Sequence, residues 1–136
     1  MITNTKFYLI LCFFIFLGHN SFSQKTNKRV AKADQAFALE EYYKAAEFYK
    51  KAYEKTKSRS LKSEIIFKQA ECYRLSGNIK RAENYYKRAI KAKYPDVIAI
   101  LRYGDVLRMN QKYDEALEQY KKYVQLNPTD VRGEIG

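Results

Sequence analysis

The sequence predicts an all-α fold of stacked helical hairpins, and three observations lead to this prediction. Apolar residues recur at helical spacing, as Ile98, Leu101 and Leu107 do on one face of a helix of about 13 residues. Similar segments recur along the chain, at offsets of 37 and then 34 residues. Turn-forming pairs, Gly77-Asn78 and Asn110-Gln111, separate the helical patterns in two of these segments.

The repeat is clearest around an alanine that is followed by a tyrosine four residues later. A third matched position, small or aromatic, follows three residues after the tyrosine. The first offset is longer than the second, which implies about three extra residues in a connection around Lys57 to Lys62. The three matched sets are Ala45, Tyr49 and Ala52; Ala82, Tyr86 and Ala89; and Ala116, Tyr120 and Tyr123.

This pattern resembles the tetratricopeptide repeat (TPR) family. The third copy carries Gly104 at the small position of its first helix, Tyr113 at the start of its second helix, and Pro128 after it. The usual tryptophan of the first helix is replaced by Ile66 and Ile100 in the later copies. The resemblance implies a solenoid of about six helices within residues 24–128, with three units at about 28–57, 63–94 and 97–128.

Residues 1–23 are expected to be a cleaved signal peptide. Lys6 precedes an apolar run, and Ser21 and Ser23 give the small residues that signal peptidase accepts. The run is about half of the roughly 20 residues that a membrane span requires. Cys12 lies inside it, which excludes a lipoprotein signal, while an uncleaved anchor stays the alternative. The chain is therefore expected to be exported, either periplasmic or associated with the outer membrane.

The composition gives no support for catalysis. The single histidine, His19, falls within the predicted signal peptide, so the mature chain has no imidazole for acid–base chemistry or for most zinc sites. Cys72 lies among apolar neighbours and is expected to be a buried small residue. The sequence predicts no catalytic residue, no metal and no cofactor.

The net charge of +11 raises the question of an anionic partner. By the family's geometry the cationic clusters fall on second helices and on the convex side, whereas a nucleic-acid groove should carry cations on its concave wall. We therefore expect no nucleic-acid partner. Attraction of the convex side to anionic envelope glycan or lipid, with peripheral contact to the outer membrane, remains an alternative function. The clusters are Lys50, Lys51, Lys55, Lys57, Arg59 and Lys62, then Lys87, Arg88, Lys91 and Lys93.

The resemblance also implies that the first helices line a concave groove that binds a protein or peptide partner. Acids and arginines there are spaced to form ion pairs on their own helix, and a stripe that binds an extended peptide is the other interpretation. The lysines and asparagines of the family's carboxylate clamps are absent. The predicted groove residues are Asp34, Glu71 and Asp105; Phe37, Arg74 and Arg108; and Phe67 and Leu101.

Residues 129–136 are expected to begin a continuation of the chain, because no capping helix follows Pro128. A signal peptide followed by TPR units resembles the N-terminus of bacterial OmpA-family outer-membrane proteins. The sequence therefore predicts a non-enzymatic scaffold for protein interactions in the bacterial cell envelope.

Overall fold

The computed structural model describes residues 27–129, and these residues form six helices and no strand. Residues 27–38 are helical and are called α1. The other helices are α2 (Tyr42–Lys55), α3 (Arg59–Leu75), α4 (Ile79–Lys91), α5 (Ile98–Met109) and α6 (Tyr113–Leu126). The predicted all-α fold of helical hairpins is confirmed, with hairpins α1–α2, α3–α4 and α5–α6. The predicted signal peptide and residues 130–136 lie outside the described residues.

The three hairpin turns share one backbone conformation. Glu40, Gly77 and Gln111 stand at matching positions and have φ values of 59°, 77° and 63°. The N–H of the next residue then reaches back to a carbonyl five residues earlier, which satisfies the end of the first helix. These bonds run from Glu41 to Ala36, from Asn78 to Tyr73 and from Lys112 to Leu107. The two turns predicted from sequence are confirmed, and the turn at Glu40 forms without glycine or asparagine.

The core combines alanines, where helices approach closely, with tyrosines that fill the space around them. The matched alanines Ala45 and Ala82 are fully buried, and Tyr49 and Tyr86 beside them are at most 1% exposed. Tyr42, Tyr53 and Tyr85 are partly buried and pack against this core, whereas Tyr43 and Tyr113 are exposed. Six described tyrosines are buried, namely Tyr49, Tyr73, Tyr86, Tyr103, Tyr120 and Tyr123.

The connection between the first two hairpins differs from the prediction. The extra residues expected in a connection around Lys57 to Lys62 extend a helix instead, because α3 already begins at Arg59. The hydroxyl of Ser58 accepts a hydrogen bond from the N–H of Leu61 at 3.2 Å and caps the longer helix. In the described part of the chain, no helix has the length and apolarity needed to cross a membrane.

Candidate functional site

A row of acids runs along α1, α3 and α5, which together form what we call the first-helix face. Each acid accepts a hydrogen bond from a tyrosine of the second helix in the same hairpin, always 15 residues further along the chain. Because the tyrosine is anchored in the core, it fixes the position of the carboxylate. The bonds run from Tyr49 to Asp34, from Tyr86 to Glu71 and from Tyr120 to Asp105.

Cations from the following hairpin extend this row across the boundaries between hairpins. The ammonium of Lys68 lies 2.8 Å from the carboxylate of Asp34. Arg102 lies at the matching position 34 residues later, with its Nε 4.0 Å from Glu71 and its Nη1 3.3 Å from Asp105. Sequence reasoning missed both cations. Their signal was present, since each stands three residues before the acid of its own helix.

Glu71 lies at the centre of the row and holds Arg74. The Nη2 of Arg74 lies 2.7 Å from Glu71, and its Nε donates to the Tyr86 hydroxyl at 3.1 Å. Burial, and then the charge of Glu71, raises the pKa of Tyr86 well above its usual value, so this phenol stays protonated and donates. The anticipated pair of Glu71 with Arg74 therefore forms within a larger, partly buried network.

The pair anticipated between Asp105 and Arg108 is replaced by another. Asp105 is paired with Arg102, while Arg108 is exposed at the end of α5. A hydrogen bond with the Tyr120 phenol, followed by the charges around it, raises the pKa of Arg108. Arg108 therefore extends the row as a cation that is open to solvent.

Aromatic rings lie beside the row of charges. Phe37 contacts Tyr42 edge-on at 5.5 Å. Phe67 stacks on Tyr94 with 4.3 Å between centroids, and both rings are partly buried. Leu101 is only 4% exposed, so it belongs to the core and offers a partner almost no surface. The prediction that Leu101 is a groove residue is thus corrected, and Tyr94, which sequence reasoning missed, supplies the apolar neighbour of Phe67.

The described residues of this region are poorly suited to nucleophilic or metal chemistry. Cys72 is fully buried, and burial raises the pKa of its thiol to about 12. Across residues 27–129, no group of three or more histidine, cysteine or acidic side chains could hold a metal ion. The arrangement can bind and orient a partner through charged and aromatic groups.

Comparison with known proteins supports the resemblance to the tetratricopeptide repeat family. Residues 67–131 match the family model described as tetratricopeptide repeat. No curated protein sequence matches the chain. Neither the family model nor the structures below bear on the OmpA-family architecture, which stays a prediction.

Solved structures share the helical-hairpin fold. The Arabidopsis OM64 TPR domain matches with a TM-score of 0.71 at 19% identity, over 82% of this chain and 90% of that one. The second TPR domain of human RPAP3, solved in complex with the HSP70 peptide SGPTIEEVD, gives 0.73 at 17% identity, over 84% and 92%. YrrB, described as a TPR protein with an unusual peptide-binding site, gives 0.69 at 20% identity, over 82% and 60%.

Proposed function

We propose that this chain, whose described residues have the tetratricopeptide-repeat fold, is a non-enzymatic scaffold that binds an extended segment of a partner protein along the first-helix face. The observation that carries the proposal is the row of guanidinium groups held in place by acids. Arg102 is held between Glu71 and Asp105, and Arg74 is held by Glu71. Two solved domains of the same fold, from RPAP3 and Spaghetti, hold peptides.

The acids position the arginines, and the arginines offer hydrogen-bond donors to the partner. The carboxylate of Glu71 already accepts from Tyr86 and Arg74, and its side chain is only 17% exposed. The side chain of Arg102 is 35% exposed and has five N–H donors, of which its carboxylate neighbours use only some. Guanidinium groups held in this way suit the carbonyl and carboxylate oxygens of an extended peptide, because little side-chain entropy remains to be lost on binding.

A pull-down from envelope extract with the full chain tests this function. The variant pair Arg102→Gln and Arg108→Gln removes donors from the first-helix face. The matched control, Lys87→Gln with Lys91→Gln, removes the same number of charges from exposed positions of α4. We expect one protein to be retained by the wild type and the control and lost by the arginine pair. Equal retention by both pairs would show that the first-helix face is not the binding site.

Stability must be measured alongside binding, because Arg102 contacts two acids. Thermal unfolding of each variant gives this control. The single change Arg108→Gln is the milder test, since this residue is exposed and its contact is with Tyr120. A folded Arg108→Gln protein is expected to retain less of the partner than the control pair does.

We further propose that the scaffold is exported to the bacterial envelope, as a periplasmic or outer-membrane-associated protein. The support is the pattern of Lys6, an apolar run and Ser21-Phe22-Ser23 within residues 1–23. Cell fractionation followed by N-terminal sequencing tests the location. The expected mature protein lies in the envelope fraction and begins at Gln24, whereas a cytosolic protein that begins at Met1 would contradict the proposal.

A further inference from the structure

A cavity lies on the second helices, away from the row of acids and arginines. Its volume is about 550 Å³, which is within the range of small-molecule sites. We call it the second-helix cavity, and none of its lining residues belongs to the row on the first-helix face. It is lined by Glu47 and Lys50 of α2, Tyr73 of α3, and Lys80, Arg81, Asn84 and Tyr85 of α4.

Two tyrosines form a fixed floor for this cavity. The rings of Tyr73 and Tyr85 lie 4.9 Å apart, and the guanidinium of Arg81 lies 5.4 Å from the Tyr73 ring. Tyr73 is only 6% exposed, so its position is set by the core. Burial, together with the neighbouring phenol of Tyr85, raises the pKa of Tyr73, and its hydroxyl stays protonated at neutral pH.

The charges in the cavity are unbalanced. Three cations, Lys50, Lys80 and Arg81, face one carboxylate, that of Glu47. Among residues 27–129, none of these three cations has an ion-pair partner within 4.0 Å. The next carboxylate along α4, that of Glu83, is already neutralised by a lysine 2.6 Å away. The lining side chains therefore carry an excess of two positive charges.

We propose that the second-helix cavity binds a small phosphate-bearing anion. A phosphate monoester carries about −1.5 to −2 charges at neutral pH, which matches the excess positive charge of the cavity. Lys50, Lys80 and Arg81 supply charge-assisted donors, and the Asn84 amide adds a neutral donor. A nucleic-acid strand fits less well, because Arg81 and Arg88 cover the rings of Tyr73 and Tyr85 on which bases would stack.

Nuclear magnetic resonance titration of the full chain with glycerol 3-phosphate tests the proposal. We expect saturable shifts of the amide signals of Lys80, Arg81 and Asn84, consistent with a single site. The variant pair Lys50→Gln and Lys80→Gln should weaken the affinity at least tenfold. These lysines are exposed, so the substitutions leave the tyrosine floor in place.

A matched pair of substitutions separates this site from general charge attraction. Lys121→Gln with Lys122→Gln removes the same charge from exposed positions of α6 and should change the affinity less than twofold. The proposal is overturned if the shifts do not saturate, or if the two pairs weaken binding equally. Because the cavity shares no residue with the row on the first-helix face, loss of this site would leave the partner-binding proposal standing.

A second arm of the experiment identifies the source of the phosphate group. Vesicles of phosphatidylglycerol are sedimented with the wild-type protein, with and without glycerol 3-phosphate as competitor. If the headgroup of a lipid is the ligand, the protein sediments with the vesicles and the competitor releases it. If the ligand is a soluble phosphate ester, the protein stays in solution although its site saturates in the titration. Both results support the second-helix cavity as a phosphate site. They differ only in whether the phosphate belongs to a lipid headgroup or to a soluble ester.

Discussion

At the scale of single residues, the tyrosine of each second helix joins the core to the charged row. Tyr49 and Tyr86 are at most 1% exposed, yet their hydroxyls donate to acids at the rim of the first-helix face. A phenylalanine would fill the same space but could not hold the carboxylate. The repeated tyrosine therefore explains how a small core can position a charged surface.

The substitution Tyr86→Phe measures the contribution of one such hydroxyl. It leaves Glu71 and the Nε of Arg74 without their phenol partner in a part-buried site. We expect a loss of about 1–3 kcal/mol in the free energy of unfolding. Urea denaturation gives the value, and Tyr113→Phe is the control, because Tyr113 is 64% exposed. A change as small as that of the control would mean that the hydroxyl does not stabilise the fold.

The buried tyrosines also predict how stability depends on alkaline pH. Burial and the nearby acids raise the pKa of Tyr49 and Tyr86 above the value of about 10 in an unfolded chain. The unfolded state therefore releases these protons first as the pH rises. The free energy of unfolding should stay level to about pH 9 and fall above about pH 10, by about 1.4 kcal/mol per pH unit for each tyrosine.

Denaturation curves across this pH range, recorded for wild type and variants, test the assignment. Above about pH 10, the free energy of unfolding of Tyr86→Phe should fall less steeply than that of the wild type. The difference should be about 1.4 kcal/mol per pH unit, because one titrating phenol is absent. Tyr113→Phe should follow the wild type, because its ring is exposed. If the free energy of unfolding falls equally steeply with pH for Tyr86→Phe and the wild type, Tyr86 does not contribute to the decline.

At the scale of helices, the contact between the two helices of a hairpin depends on a small residue. Ala33, Ala70 and Gly104 occupy matching positions on α1, α3 and α5, and both alanines are fully buried. In the third hairpin, the absence of a side chain on Gly104 allows the ring of Tyr120 to lie closer to α5. A Cβ built on Gly104 would lie 2.7 Å from Cε1 of this ring.

The substitution Gly104→Ala tests how closely this hairpin is packed. Alanine gains about 1 kcal/mol over glycine in a helix interior. The clash with Tyr120 is expected to cost about 1–3 kcal/mol, because the ring is buried and its hydroxyl is bonded to Asp105. We therefore expect a net loss of about 1 kcal/mol by chemical denaturation. A more stable variant would show that Tyr120 shifts without cost.

The sequence predicted the helices well because their signals are local and repeated. The alanine and tyrosine spacing located α2, α4 and α6, and Gly77 marked one of the turns. The sequence could not predict that α3 begins at Arg59, because a serine such as Ser58 can either cap a helix or form hydrogen bonds within a loop.

The sequence predicted where the site residues lie in the repeats, but not which residues they contact. Matching positions in the repeats identified the row of acids, and the spacing within α3 anticipated the contact between Glu71 and Arg74. Spacing on one helix could not show that Arg102 reaches back to Glu71, because this contact depends on how consecutive hairpins stack. Burial of Leu101 likewise follows from packing between helices.

At the scale of the whole molecule, each hairpin is joined to the next by packing and by polar contacts. Lys68 bonds to Asp34 on the first-helix face, and Gln69 donates to the carbonyl of Ala46 inside the core. Between the second and third hairpins, Lys112 and Asn110 both donate to Glu83 at 2.6 Å. Such nearest-neighbour contacts hold the first-helix face as one continuous surface.

Site-specific photo-crosslinking in cells locates the partner directly. A photoreactive amino acid replaces Ala38, which lies one turn after Asp34 on α1, in one version of the full chain and Lys87 on α4 in another, both at exposed positions. Binding along the first-helix face predicts that a protein partner is crosslinked from position 38 and not from position 87. Crosslinking of a protein partner from position 87 alone would contradict it and place partner binding on the second helices.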